Sequence, residues 1–139
     1  MRVFLDTSAF AKLYVQEIGS QKVFSLLSQA DELAVSVICL PELISTLARL
    51  VREGNLSPDI YQDIKSRSLS DLDDMSVIQI NSDVLHTSMD LLESNTLRAM
   101  DAIHIACAQT LGVDLFVSAD QRQLSAAIKS KLKVADVSH

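Results

Sequence analysis

Tryptophan is absent from the chain, and cysteine, proline and glycine are scarce: two, two and three residues in 139. Each scarcity closes off a class of protein. Two cysteines cannot staple a disulfide-dense secreted scaffold, and Cys39 and Cys107 form no C-x-x-C metal or redox pattern. They are expected to be reduced thiols in the core. So little glycine and proline leaves no room for long linkers or low-complexity segments. No apolar run approaches the roughly 18 residues of a membrane-spanning helix. The apolar run in "MRVFLDTS" is too short for the hydrophobic region of a signal peptide. The expectation is a cytoplasmic protein without membrane association. Positive charge is also in deficit, with 12 Lys and Arg against 18 Asp and Glu, a net charge of −6. Taken alone, that balance argues against a nucleic-acid partner, whose affinity rests on cations meeting phosphates.

What remains is a globular composition, 48% hydrophobic and 22% charged, long enough for one domain spanning 1–139. "RVFLD" is a short apolar run ending in an acid, and reads as a buried strand. "TSAFAKLY" then starts a helix, with Thr7 and Ser8 as N-cap candidates. Gly19 and Ser20 open a second helix, "SQKVFSLLSQA". "LAVSV" is the next strand. From about Ile38 to Arg52, Leu40, Leu43, Ile44, Leu47, Leu50 and Val51 repeat at the spacing of one helix face. Pro41 is tolerated there only in the first turn, and Gly54 closes the helix. Ser57 and Pro58 open the amphipathic helix "SPDIYQDIKSRSLSDL". After the strand "SVIQI" comes the helix "SDVLHTSMDLLES", with Ser82 as its expected cap. The helix "LRAMDAIHIACAQTL" is apolar nearly all round and ends at Gly112. "DLFVSAD" is a strand, "QRQLSAAIKSKL" a helix and "KVADV" a short edge strand. Apolar strands alternating with helices imply a three-layer α/β/α sandwich around a mostly parallel sheet.

Two of these strands run straight into an acid, Asp6 and Asp120. In a parallel sheet the carboxyl ends of the strands share one edge, where open α/β sheets bind ligands. The strand "LAVSV" ends on that edge too, and Glu42 follows in the first turn or so of the next helix. Asp101 lies early in the apolar helix, where a carboxylate is costly without a partner. Asp6, Glu42, Asp101 and Asp120 can therefore converge. Clustered carboxylates repel one another, and some must take up protons unless a cation is present. Hard oxygen donors favour Mg²⁺ or Mn²⁺ over zinc, with one or two ions held, and such a site suits phosphoryl chemistry. Blander roles stand beside this one. Asp6 and Asp120 can be helix N-caps, Glu42 can complement a helix dipole, and Asp101 can pair with Arg98. His104 reads as a packing residue that orients a neighbour more readily than as a metal ligand.

The blocks "VFLDTSAFAKLY", "SVICLPELISTLAR", "LRAMDAIHIACA" and "LFVSAD" resemble, in order, the four motif blocks of the PIN domain. They are most similar to those of the VapC-type toxins of prokaryotic toxin–antitoxin pairs. The resemblance extends over the whole chain. It implies a compact α/β/α metal-dependent endoribonuclease in which Asp6, Glu42, Asp101 and Asp120 form the acidic quartet that binds Mg²⁺ or Mn²⁺. Thr7 and Ser8 stand where the family places small hydroxyl residues beside the first acid. Ser118 stands where a supporting Thr or Ser precedes the last. The resemblance also implies an RNA substrate, a cognate antitoxin and a homodimer, with surface between about Leu40 and Leu72 available for the protein partners. Setting the four site acids aside leaves 14 acids against 12 bases, a net of −2, so the overall acidity no longer excludes RNA. Arg49, Arg52, Lys65 and Arg67 are candidate phosphate contacts, or equally a solvated helix face.

Other function classes fit less well. A PIN-like module that binds RNA or protein without cutting would be expected to lack one or more acids, and all four are present. A phosphohydrolase with an aspartyl nucleophile needs a second Asp two residues on, where this chain has Ser8. A receiver domain wants paired acids near the first strand and a Lys after a late strand, and neither is evident.

Overall fold

A computed structural model describes residues 1–139. The elements run β1 (Arg2–Leu5), α1 (Thr7–Ala11), α2 (Ser20–Leu27), β2 (Glu32–Ser36), α3 (Cys39–Arg52), α4 (Pro58–Leu72), β3 (Ser76–Ile78), α5 (Ser82–Ser94), α6 (Ala99–Leu111), β4 (Leu115–Ser118), α7 (Gln121–Lys129) and β5 (Val134–Asp136). The sheet has the order β3-β2-β1-β4-β5, and every pairing in it is parallel. No helix is long and apolar enough to cross a membrane.

Both faces of the sheet are covered, so its strands are apolar at successive positions rather than at alternate ones. The pleat still sorts them. Val3 and Leu5 of β1, Val35 of β2 and Val117 of β4 join Phe10, Val23, Leu43, Leu47 and Ile64 in a core under α1–α4. Phe4, Ala34 and Phe116 face the other way, into a core with Val84, Leu91, Ile105 and Ala127 from α5, α6 and α7. Phe4 pairs with both Ala34 and Phe116 in register, and its ring stacks on Phe116 at 5.7 Å. Both thiols are free and buried. The chain builds outward from β1 to β2 and β3, then returns to the far side of β1 for β4 and β5. That reversal opens a crevice outside the carboxyl ends of β1 and β4.

Several boundaries differ from the sequence expectation, each for a local reason. Asp6, not Thr7 or Ser8, caps α1, and Asn81, not Ser82, caps α5 by accepting from the Val84 amide. Helix α7 stops before Leu132 because Lys131 adopts a left-handed conformation (φ 64°), a role usually taken by glycine. Nothing in the composition there marks the stop.

Two glycines differ in what surrounds them. Gly19, at φ 93°, lies so close to the Val137 carbonyl oxygen that a Cβ would stand 1.9 Å from it; Gly54, at φ 76°, has open space around it. Gly54→Ala should therefore cost about 1–2 kcal/mol from backbone conformation alone. Gly19→Ala should add an overpacking cost of about 1–3 kcal/mol. Urea midpoints of the two variants check this: equal losses would show that the chain around Val137 gives way freely.

Candidate active site

Asp6 ends the central strand with no exposed surface. Its Oδ1 accepts from the Ser8 hydroxyl (2.7 Å) and the Ala9 amide (2.9 Å), and its Oδ2 from the Ser118 hydroxyl (2.6 Å). The two serines receive backbone donors in turn: Ala119 N–H on Ser8 Oγ and Asp120 N–H on Ser118 Oγ, both at 2.9 Å. The ends of β1 and β4 are thus laced together by side chains beyond the last ladder bonds. Burial pushes the Asp6 carboxyl up, against the hydrogen bonds from Ser118, Ser8 and Ala9 and the charge of His104.

Glu42 reaches the same edge from the first turn of α3. Its Oε1 takes the Thr7 hydroxyl at 2.6 Å and His104 Nε2 at 2.5 Å. His104 is buried on α6, edge-on to Phe4, and its Nδ1 has no partner. Nε2 is the nitrogen facing the carboxylate and is therefore the one that donates. Burial acts to raise the Glu42 carboxyl. The hydrogen bonds from His104 and Thr7 and the His104 charge outweigh it, so the net shift is downward. Cys39 lies one helical turn before Glu42, and burial pushes its thiol up to about 12, with Asp6 and Glu42 adding to the rise. A thiol so reluctant to ionise is inert as a ligand at neutral pH.

Asp101 sits in the first turn of α6. Its Oδ1 accepts from Gln123 Nε2 at 3.2 Å, and its Oδ2 lies 3.4 Å from the Arg98 backbone amide. Arg98 therefore meets Asp101 through its backbone and makes no ion pair with it. Burial raises the Asp101 carboxyl, and so do the charges of Asp120 and Glu42. Asp120 caps α7, its Oδ1 accepting from the amides of Arg122 (2.8 Å) and Gln123 (3.4 Å).

A pocket of about 510 Å³ opens over these groups, walled among others by Thr7, Ser8, Glu42, Asp101, His104 and Asp120. Asp6 lies beneath it, behind Ser8. The acids are brought to one region, but no three His, Cys, Asp or Glu side chains are clustered tightly enough to grip a single ion as they stand. Asp6, Asp101 and Asp120 make no ion pair, and the quartet's one ion-pair contact is that of Glu42 with His104. Lys12 and Gln123 are among the wall residues that escaped the sequence reading. Lys12 is buried, and its ammonium group is spent on Ile18 O (2.6 Å) and Glu17 (3.2 Å). Gln123 is 5% exposed, with its Oε1 unpartnered. The signal for Gln123 was its place in the first helical turn after a strand-end acid. None of Arg49, Arg52, Lys65 and Arg67 lines this pocket. Arg49 is 3.8 Å from Glu53, while Arg67 pairs with Asp63 and lies over the Tyr14 ring.

The chain is thus an open parallel α/β sandwich with an acidic pocket at its topological switch point. Comparison with known proteins makes the class specific. The profile of the PIN domain matches residues 3–129. The chain is 30% identical over 129 residues to "Ribonuclease VapC47" of Mycobacterium tuberculosis, with 88% of each chain covered. Its fold is similar to that in the crystal structure of FitAcB from Neisseria gonorrhoeae (TM-score 0.76, 17% identity, 99% of both chains). It is also similar to a chain of a toxin–antitoxin complex from Klebsiella pneumoniae (TM-score 0.68, 18% identity, 88% of this chain and 90% of that one). The protein belongs to the PIN-domain family, on its VapC side.

The raised Asp101 carboxyl sets a direction for stability. Its ionised form is disfavoured in the fold, so folding is penalised above its folded pKa and relieved once it is protonated below. Asp101→Asn keeps an acceptor for Gln123 and removes the charge. In chelator the variant should melt higher than the parent at pH 8, and the gap should close as pH falls toward about 4. A parent that is the more stable at pH 8 would show that the acids do not strain one another.

Proposed function

We propose that this protein is a divalent-metal-dependent endoribonuclease, the toxin of a toxin–antitoxin pair, with Asp6, Glu42, Asp101 and Asp120 as its acidic centre. The observation that carries the reading is the strain at Asp101. Carboxylates from four separate elements meet at one edge, and the charges of Asp120 and Glu42 bear on Asp101, which makes no ion pair. The donors are hard oxygens, and the nearby Cys39 thiol stays protonated, so the set fits Mg²⁺ or Mn²⁺, as one ion or two. When bound, such an ion supplies charge neutralisation at a phosphodiester and an activated water.

The chain's own residues prepare that chemistry. Ser8, Ser118 and the Ala9 amide fix Asp6 at the floor. Thr7 and His104 hold Oε1 of Glu42 and leave Oε2 free of hydrogen bonds, and the α7 cap likewise leaves Oδ2 of Asp120 free. Gln123 orients Asp101. The name of the VapC47 relative supports RNA as substrate, and the likeness to a chain of a toxin–antitoxin complex supports an antitoxin partner. Ile60 and Leu69, about half exposed on α4, offer apolar surface to that partner or to a second copy of the chain.

The test is cleavage of a mixed single-stranded and structured RNA pool in Mn²⁺, in Mg²⁺ and in chelator. Metal-dependent cutting with 5′-phosphate ends is expected. Asp101→Asn should lower it about 100-fold or more, the scale on which losing one electrostatic partner of a transition state acts. Cutting that survives chelation, or that leaves 2′,3′-cyclic phosphate ends, would overturn the metal mechanism. A folded protein that binds the pool and cuts nothing in any metal would be a binding module instead.

A further inference from the structure

The acidic pocket does not end at Asp101 and Asp120. Those two residues also wall a second pocket of about 410 Å³, completed by Arg98, Gln121 and Arg122, with no hydrophobic side chain in its lining. Gln121 and Arg122 in turn wall a third, of about 350 Å³, with Asn95, Thr96, Ser125 and Lys129. The three form one continuous polar track from the acids, across the start of α6 and along α7. Three cations line it, Arg98, Arg122 and Lys129, all exposed and none in an ion pair. Elsewhere Arg2, Lys12, Arg49 and Arg67 each have a carboxylate partner, while Lys22, Arg52, Lys65, Lys131 and Lys133 have none, so it is position beside the acids that sets the track's cations apart.

We infer that this track seats the phosphodiester backbone of a single RNA strand beside the bond to be cut, with Arg98 and Arg122 on the phosphates nearest the acids and Lys129 further along. The inference rests on the ribonuclease reading and deepens it. Both arginines lie beside carboxylates yet make no ion pair with them. The Asp101 and Asp120 oxygens near them are used on backbone amides, those of Arg98 and Arg122 themselves. The same two acids thus anchor the backbone from which each guanidinium projects and leave the guanidinium free. A forked planar donor set matches phosphate oxygens, and Asn95, Thr96, Gln121 and Ser125 add neutral hydrogen-bonding groups. No Phe, Tyr or Trp side chain lines the track and the His104 ring is buried, so it offers bases nothing to stack on, and contact is with the backbone irrespective of sequence.

The experiment measures binding, not turnover. A short fluorescent single-stranded RNA with phosphorothioate linkages is titrated in Ca²⁺, and its anisotropy is followed from about 50 to 200 mM salt. The Arg98→Ala/Arg122→Ala pair should bind about tenfold more weakly at the low-salt end. Its slope of log affinity against log salt should be shallower by about 1.4, two contacts at ~0.7 each. The Arg49→Ala/Arg52→Ala pair should match the parent in both, and Lys129→Gln should lose about half as much slope as the arginine pair. If the arginines only balance the acids' charge, their loss lowers the melting temperature and leaves the slope unchanged, which overturns the inference while the ribonuclease reading stands. A parent that binds no RNA under any of these conditions overturns both.

Discussion

A carboxylate without exposed surface is tolerable only if every lone pair that matters finds a donor. Asp6 meets that condition with two serine hydroxyls and one backbone amide, drawn from the helix that follows it and from a strand 112 residues away. The arrangement does two jobs. It caps α1, and it ties β1 to β4 where the sheet reverses its winding. Both sides of the pocket are referred to this one buried group. Ser118, which bonds Asp6, also receives the amide of Asp120, so the acid at the floor and the acid on α7 share a single intermediary.

Around that fixed point the other acids are held more loosely. Glu42 is committed at one oxygen, Asp120 at one, and Asp101 at two longer contacts. The gradient runs from a locked Asp6 to a lightly held Asp101, and on the proposed reading it would suit a centre taking up a cation and a phosphate. Rigid floor geometry sets position, while the upper carboxylates can rotate without breaking the core. The cost is electrostatic and falls on Asp101, which is pushed by Asp120 and Glu42. The same field would repel RNA if it stood alone. The track lined by Arg98, Arg122 and Lys129 lies beside it, so the net charge of −6 says little about where a polyanion would settle.

Much of this was legible in the chain. Apolar strands alternating with helices dictated a parallel sandwich, and acids placed at two strand ends and two helix starts put the quartet on one edge. What stayed hidden was set by rotation and reach. Asp6 rather than Thr7 or Ser8 takes the cap position, one of the two roles the sequence allowed it, but the burial and the serine bonds that go with the cap were not expressed locally. Gln123 and Lys12 look like ordinary helix polar residues, and only the packing of α7 and α1 turns them to the pocket. Arg49 and Arg67, candidate phosphate contacts or equally a solvated face, lie off the pocket beside acids and an aromatic ring. Lys131 ended α7 with no glycine to announce it.

The order of the strands also has a meaning in time. Asp6 and Thr7 leave the ribosome more than a hundred residues before Ser118 and Asp120, and β1 cannot bury Asp6 until β4 lies beside it. A nascent chain holding everything through α6 still lacks one wall of its pocket and the hydroxyl that anchors the floor. The pocket stays incomplete until β4 and α7 have been made and packed against β1.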